Sequence, residues 1–111
     1  MNRSIPVTLA TLCLLPLTAS AESQRQAHGR QVYQAQCAQC HATGIRGVPQ
    51  VDRPSDWEDR SDLWEAVLFE HAEKGYLGMP AQSGADGASE FDVNAAAEYM
   101  LNTIYPDRPR D

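Results

Sequence analysis

The stretch CAQCHATGIRGVP, from Cys37 to Pro49, contains two cysteines separated by two residues and a histidine directly after the second cysteine. A Cys-x-x-Cys pair is typical of three kinds of site: a redox-active dithiol, half of a zinc site, and the attachment point of a covalently bound haem. The surrounding sequence discriminates among these three chemistries.

The start of the chain, residues 1–21, has the three parts of a secretory signal peptide. A short basic segment at residues 1–3 precedes a mainly apolar run at 5–17 and a small-residue cleavage site, Ala-Ser-Ala, at 19–21. The apolar run is shorter than the ~20 residues of a membrane span and contains two prolines, so a cleaved signal is favoured over an anchor. We therefore expect cleavage after Ala21, with residues 22–111 exported to the periplasm as one domain.

The cysteine count narrows the choice further. Removal of the signal would also remove Cys13, which leaves Cys37 and Cys40 as the only pair. One bridge between such close neighbours constrains the unfolded chain very little, so a disulfide framework does not stabilise this domain.

The small size of the domain is a second consideration, because a domain of about 90 residues buries a modest share of its surface. A large apolar group bound at its centre would enlarge the core.

The chain is acidic. Fifteen Asp and Glu oppose nine Lys and Arg, which gives a formal net charge of −6 at pH 7. This balance argues against nucleic acid or an anionic membrane surface as a partner. Protein partners with basic docking patches fit the charge, and a charge that only maintains solubility is the alternative.

The sequence pattern predicts helices and no strands, because apolar and polar residues nowhere alternate over a run bounded by turns. The first helix is predicted over about Ser23 to Gln39, and the second from Ser61 to Gly75. The third begins at Ser89, with Asp92 completing a capping box. Long loops with glycine and proline separate the helices, which predicts an all-α domain wrapped around a bound group. The ending YPDRPRD predicts an exposed tail.

Covalent haem attachment fits the motif better than the two alternatives. A thioredoxin-like dithiol needs strands, which the sequence does not predict. Zinc needs four ligands, and beyond the motif only His28 and His71 could contribute. Two thiols one helical turn apart can each add to the same porphyrin, and the imidazole of His41 can then turn toward the iron. These features predict one haem c, with its iron, bound covalently through Cys37 and Cys40.

A second axial ligand is expected, and methionine is the usual one in electron carriers. Of the three methionines, Met1 leaves with the signal, and Met100 falls on the apolar stripe of the last predicted helix, where a core position is expected. Met79 lies in the irregular segment GYLGMPAQ, stiffened by Pro80. We therefore predict that His41 and Met79 ligate the iron. The alternative for Met79 is a loop residue that covers the core.

The segments GRQVYQAQCAQCH, GYLGMP and AAAEYML resemble the class I c-type cytochromes, and most closely the bacterial cytochrome c-five group, over about residues 29–101. This resemblance implies the small class I cytochrome c fold, with three to four helices around one haem. It also implies that Pro49 offers its carbonyl oxygen to the imidazole N–H of His41. Gly29, Tyr33 and Tyr99 are then expected where the first helix crosses the last.

A further segment, DW..R, resembles one that family members have before the second helix. The resemblance implies that Trp57 and Arg60 lie near the haem propionates, where an indole N–H and a guanidinium would offset carboxylate charge. The alternatives are an ordinary core position for Trp57 and a solvated or helix-capping charge for Arg60. His28 and His71 have no assigned role, although His71 could face the haem side of the second helix.

Three functions follow from this interpretation. The expected one is a periplasmic carrier of one electron between redox proteins of a respiratory chain, which is not an enzyme. An electron-accepting cytochrome subunit of a periplasmic dehydrogenase is the alternative, since composition does not separate the two. An enzyme or sensor in which Met79 is displaced by a small ligand is a third hypothesis, against which the GMP sequence argues.

Overall fold

The computed structural model describes residues 22–60 and 65–108, together with residues 2, 4, 6–7 and 9–13. In these parts of the chain the regular structure is helical, and a single isolated β-bridge joins Tyr76 to Met79. The predicted all-α class is confirmed. The expected cleavage site at residues 19–21 and the expected helix start at Ser61 lie outside the described residues. None of the described helices has the length and apolarity needed to cross a membrane.

The first helical stretch has three consecutive parts: helix α1 (Gln24–Val32), a π-helical turn (Tyr33–Cys37) and helix α2 (Ala38–His41). Its predicted start is confirmed, because the Ser23 side chain accepts a hydrogen bond from the N–H of Gln26 at 3.1 Å. Its end lies at His41 instead of the predicted Gln39. The π turn, which the pattern did not predict, widens the helix directly before the cysteine pair. Such turns are frequent at functional sites.

Helix α3 spans Glu65–Lys74 and ends as predicted before Gly75. Gly75 has φ +87°, a left-handed conformation that terminates helices and favours glycine. No described residue of this helix is buried, and its apolar side chains Val67, Leu68 and Phe69 are only half-buried. This helix therefore keeps apolar side chains that the described protein atoms do not fully cover.

Helix α4 spans Glu90–Ile104, and its predicted capping box is present. The N–H of Asp92 donates to the Ser89 hydroxyl at 3.1 Å, and the N–H of Ser89 donates to the Asp92 carboxylate at 2.8 Å. The predicted core position of Met100 is confirmed, because its side chain is 8% exposed. The buried residues of α4 are Val93, Ala95, Ala96, Met100, Leu101, Asn102 and Ile104.

The crossing of α1 and α4 forms the centre of the core. A Cβ atom at Gly29 would overlap the carbonyl oxygen of Ala95, so only glycine allows the two backbones to approach this closely. Next to it the rings of Tyr33 and Tyr99 pack with centroids 5.3 Å apart and planes tilted by 47°. The contact expected from the resemblance is therefore present. Tyr33, Trp57, Ala96, Met100 and Ile104 form the buried cluster around it.

The end of the chain corrects one expectation. As far as Arg108 it is not a free tail, because this side chain is 20% exposed and bridges two helices. Its guanidinium donates to the side-chain oxygen of buried Asn102 at 2.8 Å and to the carboxylate of Glu65 at 3.0 Å. The physical reason is that a buried amide requires a hydrogen-bond partner, which the local sequence does not reveal.

Candidate functional site

His41, the last residue of α2, is 7% exposed and has a fixed ring orientation. Its Nδ1 lies 2.8 Å from the carbonyl oxygen of Pro49. A carbonyl oxygen only accepts, so Nδ1 donates the proton and Nε2 keeps its lone pair. Burial lowers the pKa of His41, and the hydrogen bond to Pro49 opposes this shift without cancelling it. The site therefore presents a neutral imidazole with Nε2 available for a metal ion.

The loop after His41 is held by four further contacts, two with the histidine and two within the loop. The N–H of Val51 donates to the His41 carbonyl at 2.8 Å. The indole N–H of Trp57 donates to the Gln50 carbonyl at 2.8 Å, and the N–H of Gln50 donates to the Asp56 carboxylate at 3.0 Å. The Trp57 ring also stacks on the His41 ring, with centroids 5.8 Å apart and planes 29° apart. These contacts make the histidine and its loop one packed unit.

The two residues expected near the propionates have other partners in this structure. Trp57 is 9% exposed, belongs to the core cluster and uses its N–H on Gln50. Arg60 is exposed, and its guanidinium donates to the carbonyl of Asp56 at 2.6 Å. Both observations agree with the alternatives stated above, a core position for Trp57 and a solvated or helix-capping charge for Arg60. Their role at the propionates stays a prediction.

Cys37 is the last residue of the π turn, and Cys40 lies in α2, directly before His41. Cys37 is half-buried against the core cluster, whereas Cys40 is exposed. Burial, with a smaller contribution from Cys40, raises the pKa of the Cys37 thiol to about 11. A redox-active dithiol requires the opposite shift, because the thiolate is the nucleophile. The environment of Cys37 therefore argues against the dithiol alternative.

The other two histidines are engaged elsewhere. Nε2 of His28 lies 2.6 Å from the Asp92 carboxylate, and the ring of His71 stacks on Tyr76. Within the described residues, no three or more His, Cys, Asp or Glu side chains lie together as ligands for a metal ion. The described part of the chain therefore offers no site for the zinc alternative.

Met79 lies on a separate loop after α3, in a tight turn. The N–H of Tyr76 donates to the Met79 carbonyl at 3.0 Å, and the N–H of Met79 donates to the Tyr76 carbonyl at 2.9 Å. Leu77, between them, has φ +50° and is 89% exposed. The turn thus presents a half-buried methionine on a closed, hydrogen-bonded backbone.

The described residues fit a covalently attached haem. The chain brings together the two cysteine side chains of the motif and a buried imidazole with Nε2 available. On α3, the apolar side chains of Val67, Leu68 and Phe69 each stay half-exposed, which leaves apolar surface available to a large apolar group. Thiol, imidazole and apolar surface are together the groups that such a cofactor requires.

Comparison with known proteins decides the family. The family model described as cytochrome c oxidase, cbb3-type, subunit III matches residues 24–100. Cytochrome c-555 of Prosthecochloris aestuarii is 34% identical over 94 residues, which cover 78% of this chain and 95% of that protein. The chain belongs to the class I c-type cytochromes. Cytochrome c-551 of Halorhodospira halochloris is similar to this cytochrome as well, with 38% identity over 80 residues, 68% of this chain and 98% of that one.

Solved structures agree with this assignment. The reduced cytochrome c551 of Ectothiorhodospira halophila has a TM-score of 0.56 and 35% identity, covering 68% of this cytochrome and 97% of that chain. A chain from the electron transfer complex of nitrite reductase with cytochrome c has a TM-score of 0.62 and 27% identity. The match covers 69% of this cytochrome and 94% of that chain. The small cytochrome c fold is confirmed. This cytochrome carries one haem c, bound covalently through Cys37 and Cys40, and it is an electron carrier.

Two residues of the site were not singled out from the sequence. Gln50 accepts the indole N–H of Trp57, and Tyr76 closes the turn that contains Met79. A signal existed only for Tyr76, since it directly follows the helix-ending Gly75 and precedes Met79 by three residues, the spacing of a tight turn. Gln50 acts through its backbone, for which side-chain identity gives no signal.

Proposed function

We propose that this cytochrome transfers single electrons between periplasmic redox proteins of a respiratory chain, with His41 and Met79 as the two axial ligands. The main support is the buried His41, whose Nδ1 is occupied by the Pro49 carbonyl at 2.8 Å and whose Nε2 is available. When bound, the haem supplies an iron that accepts and releases one electron. Because Met79 would fill the second axial position, no site remains for a substrate, and we infer that the protein is not an enzyme.

The chain's own residues hold this arrangement. Pro49 orients the His41 ring and increases its basicity because its carbonyl oxygen accepts a hydrogen bond from the Nδ1–H. Trp57 covers one side of the histidine and excludes water from it. We further propose that Trp57 and Arg60 lie toward the propionates, as the DW..R resemblance implies. For Arg60, breaking the bond to the Asp56 carbonyl would free the guanidinium for this role.

The finer assignments are also proposals. Within the family we infer that the chain is most similar to the cytochrome c-five group, which the segments GRQVYQAQCAQCH and GYLGMP support. We infer export to the periplasm and cleavage after Ala21, which would leave residues 22–111 as the haem domain. The basic, apolar and small-residue parts of residues 1–21 support this inference.

The partner proposed here is a redox protein with a basic docking patch. The formal net charge of −6 favours such a surface, and a similar fold occurs in the electron transfer complex of nitrite reductase with cytochrome c. Electron transfer to a basic partner should slow as ionic strength rises. Electron-transfer rates that do not change with ionic strength would contradict acidic docking.

In the alternative, the cytochrome is a subunit of a periplasmic dehydrogenase and should elute from periplasmic extract with a larger catalytic chain.

A potentiometric titration of the exported protein tests the electron-carrier proposal. We expect one haem per chain, a reversible titration with the slope of a single electron, and no binding of carbon monoxide to the reduced native protein. Binding of carbon monoxide under native conditions would contradict the proposal, because it would show an open axial position and favour an enzyme or sensor.

A further inference from the structure

His71 and Tyr76 form a stacked pair at the end of α3. Their ring centroids are 3.7 Å apart and their planes differ by 4°, which is an almost parallel face-to-face contact. His71 belongs to the last turn of α3, and Tyr76 follows the helix-ending Gly75. The pair therefore joins the helix to the segment that leaves it. Tyr76 is 50% exposed, so simple burial in the core does not account for its position.

Tyr76 is also the residue that holds the backbone of Met79. Each of the two residues donates its N–H to the carbonyl of the other, at 3.0 and 2.9 Å. A Cβ atom at Gly75 would lie 3.0 Å from the Met79 carbonyl oxygen, so the turn packs directly on the helix end. The stacked ring of Tyr76 therefore belongs to the residue whose backbone closes the Met79 turn, and the stack adds a side-chain contact to those that hold this turn on α3.

The segment after Met79 is tied to the same helix by its backbone. The N–H of Gln82 donates to the Ala72 carbonyl at 3.0 Å, and the N–H of Ser83 donates to the Glu73 carbonyl at 3.2 Å. The Met79 turn is thus attached to the last turn of α3 on both sides. On the N-terminal side the attachment includes a contact between side chains, which substitution can remove while every backbone donor and acceptor of the turn is kept.

We propose that His71 and Tyr76 are positioning residues for Met79: their stacked rings hold the turn Tyr76–Met79 against α3 and so strengthen the bond between Met79 and the iron. This inference rests on the proposed function, in which Met79 is an axial ligand. A stack needs a planar ring on each side, so phenylalanine at either position preserves the contact, whereas alanine removes it. A purely structural stack would affect unfolding without changing how readily Met79 is displaced.

Displacement of Met79 by added imidazole measures this effect in the exported, haem-loaded protein. The displacement is monitored by visible absorption. The weak red band that reports sulfur bound to iron disappears as imidazole replaces Met79. An aromatic contact contributes about 0.5–1.5 kcal/mol, so imidazole should bind about 2- to 12-fold more tightly to His71→Ala and Tyr76→Ala than to the wild type. His71→Phe and Tyr76→Phe should resemble the wild type. Amide hydrogen exchange at Met79 should accelerate in the alanine variants alone.

His28→Ala is the matched control. His28 also stacks on an aromatic ring, that of Phe91, with centroids 5.6 Å apart, but this pair lies at the crossing of α1 and α4. Its loss should leave imidazole affinity unchanged. In a Met79→Ala background, His71→Ala should no longer alter imidazole affinity. His71→Leu provides a second variant, apolar but without a ring, if His71→Ala does not fold.

The outcomes separate the two proposals. If the wild type lacks the sulfur band, the assignment of Met79 as ligand fails, and this inference fails with it. If the band is present but the variants without a ring bind imidazole like the wild type, the assignment holds and the positioning role is wrong. If His71→Ala alters imidazole affinity equally in the Met79→Ala background, the effect does not pass through Met79 and the inference is overturned.

Discussion

The imidazole Nδ1 of His41 lies 2.8 Å from the carbonyl oxygen of Pro49, eight residues further along the chain. The His41 backbone is held by the same loop, since its carbonyl accepts the N–H of Val51 at 2.8 Å. Ring and backbone of the histidine are therefore fixed together. This explains how a helix end next to a long irregular loop can present one imidazole nitrogen in a defined direction.

Trp57 should stabilise this loop through its indole N–H. Trp57→Phe removes the hydrogen bond to the Gln50 carbonyl, and we expect the free energy of unfolding to fall by about 1–2 kcal/mol in chemical denaturation. Tyr105→Phe is the matched control, because it also leaves a phenylalanine but removes a buried hydroxyl that has no hydrogen-bond partner among the described residues. It should be neutral or stabilising. Equal losses in both variants would contradict this role of the indole N–H.

Gly29→Ala should disturb the crossing of α1 and α4. The added Cβ would overlap the carbonyl oxygen of Ala95, so the helices must move apart, and we expect a loss of about 1–3 kcal/mol in the free energy of unfolding. Gln31→Ala, at an exposed position of the same helix, should change it by less than about 0.5 kcal/mol. An unchanged unfolding midpoint for Gly29→Ala would show that the helices do not approach this closely.

Asp92 makes stability depend on pH at the start of α4. The backbone N–H of Ser89 first, and then His28 and the Ser89 hydroxyl, hold the pKa of Asp92 below its ordinary value of 3.8. The ionised carboxylate therefore stabilises the folded state above pH 3.8, and this contribution disappears as the pH falls through the lowered pKa. The wild type should exceed Asp92→Asn in stability at neutral pH and approach it below pH 3.8.

Denaturation midpoints measured between neutral and strongly acidic pH check this dependence. Asp107→Asn, at an exposed position beyond the helix, should follow the wild type throughout. A difference between wild type and Asp92→Asn that stays constant across the acid range would contradict the role given to the carboxylate.

Leu77 occupies a left-handed backbone conformation, with φ +50°, and its side chain is 89% exposed. Leu77→Gly removes a penalty of about 1–2 kcal/mol, against a cost of about 0.5–1 kcal/mol from the more flexible unfolded chain. We expect a net gain of up to about 1.5 kcal/mol in the free energy of unfolding. Leu77→Ala retains the Cβ atom and should show no gain. If the glycine variant is no more stable than the alanine variant, the strain at this position is absent.

Much of the fold was predictable because its helix ends are encoded locally. Ser23, Gly75 and Ser89 each have a side chain or backbone conformation that acts on the adjacent turn, so the sequence alone reveals them. The π turn at Tyr33–Cys37 was not predictable, because a periodic apolar pattern does not distinguish one extra residue in a turn. The bridge from Arg108 to Asn102 and Glu65 depends on the arrangement of α3 and α4.

The residues of the site were likewise predictable where their signal is local in the sequence, and not where it depends on the path of the chain. Cys37, Cys40 and His41 are contiguous in the chain, and their motif is specific enough to predict the cofactor. The contact of Pro49 was expected only through the resemblance, since nothing local relates its carbonyl to an imidazole. The stacking of His71 on Tyr76 depends on the path of the chain after Gly75, which periodicity does not specify.

The most direct test of the central claim is the visible absorption spectrum of the exported protein, oxidised and reduced, for the wild type and Met79→Ala. Ligation by His41 and Met79 predicts c-type bands in the reduced wild type and the weak red sulfur-to-iron band in the oxidised wild type. Met79→Ala should retain the c-type bands and lose the red band, whereas Met100→Leu should retain both, because Met100 lies in the core. A wild type that binds haem without the red band, or a Met79→Ala variant that keeps it, would contradict the claim.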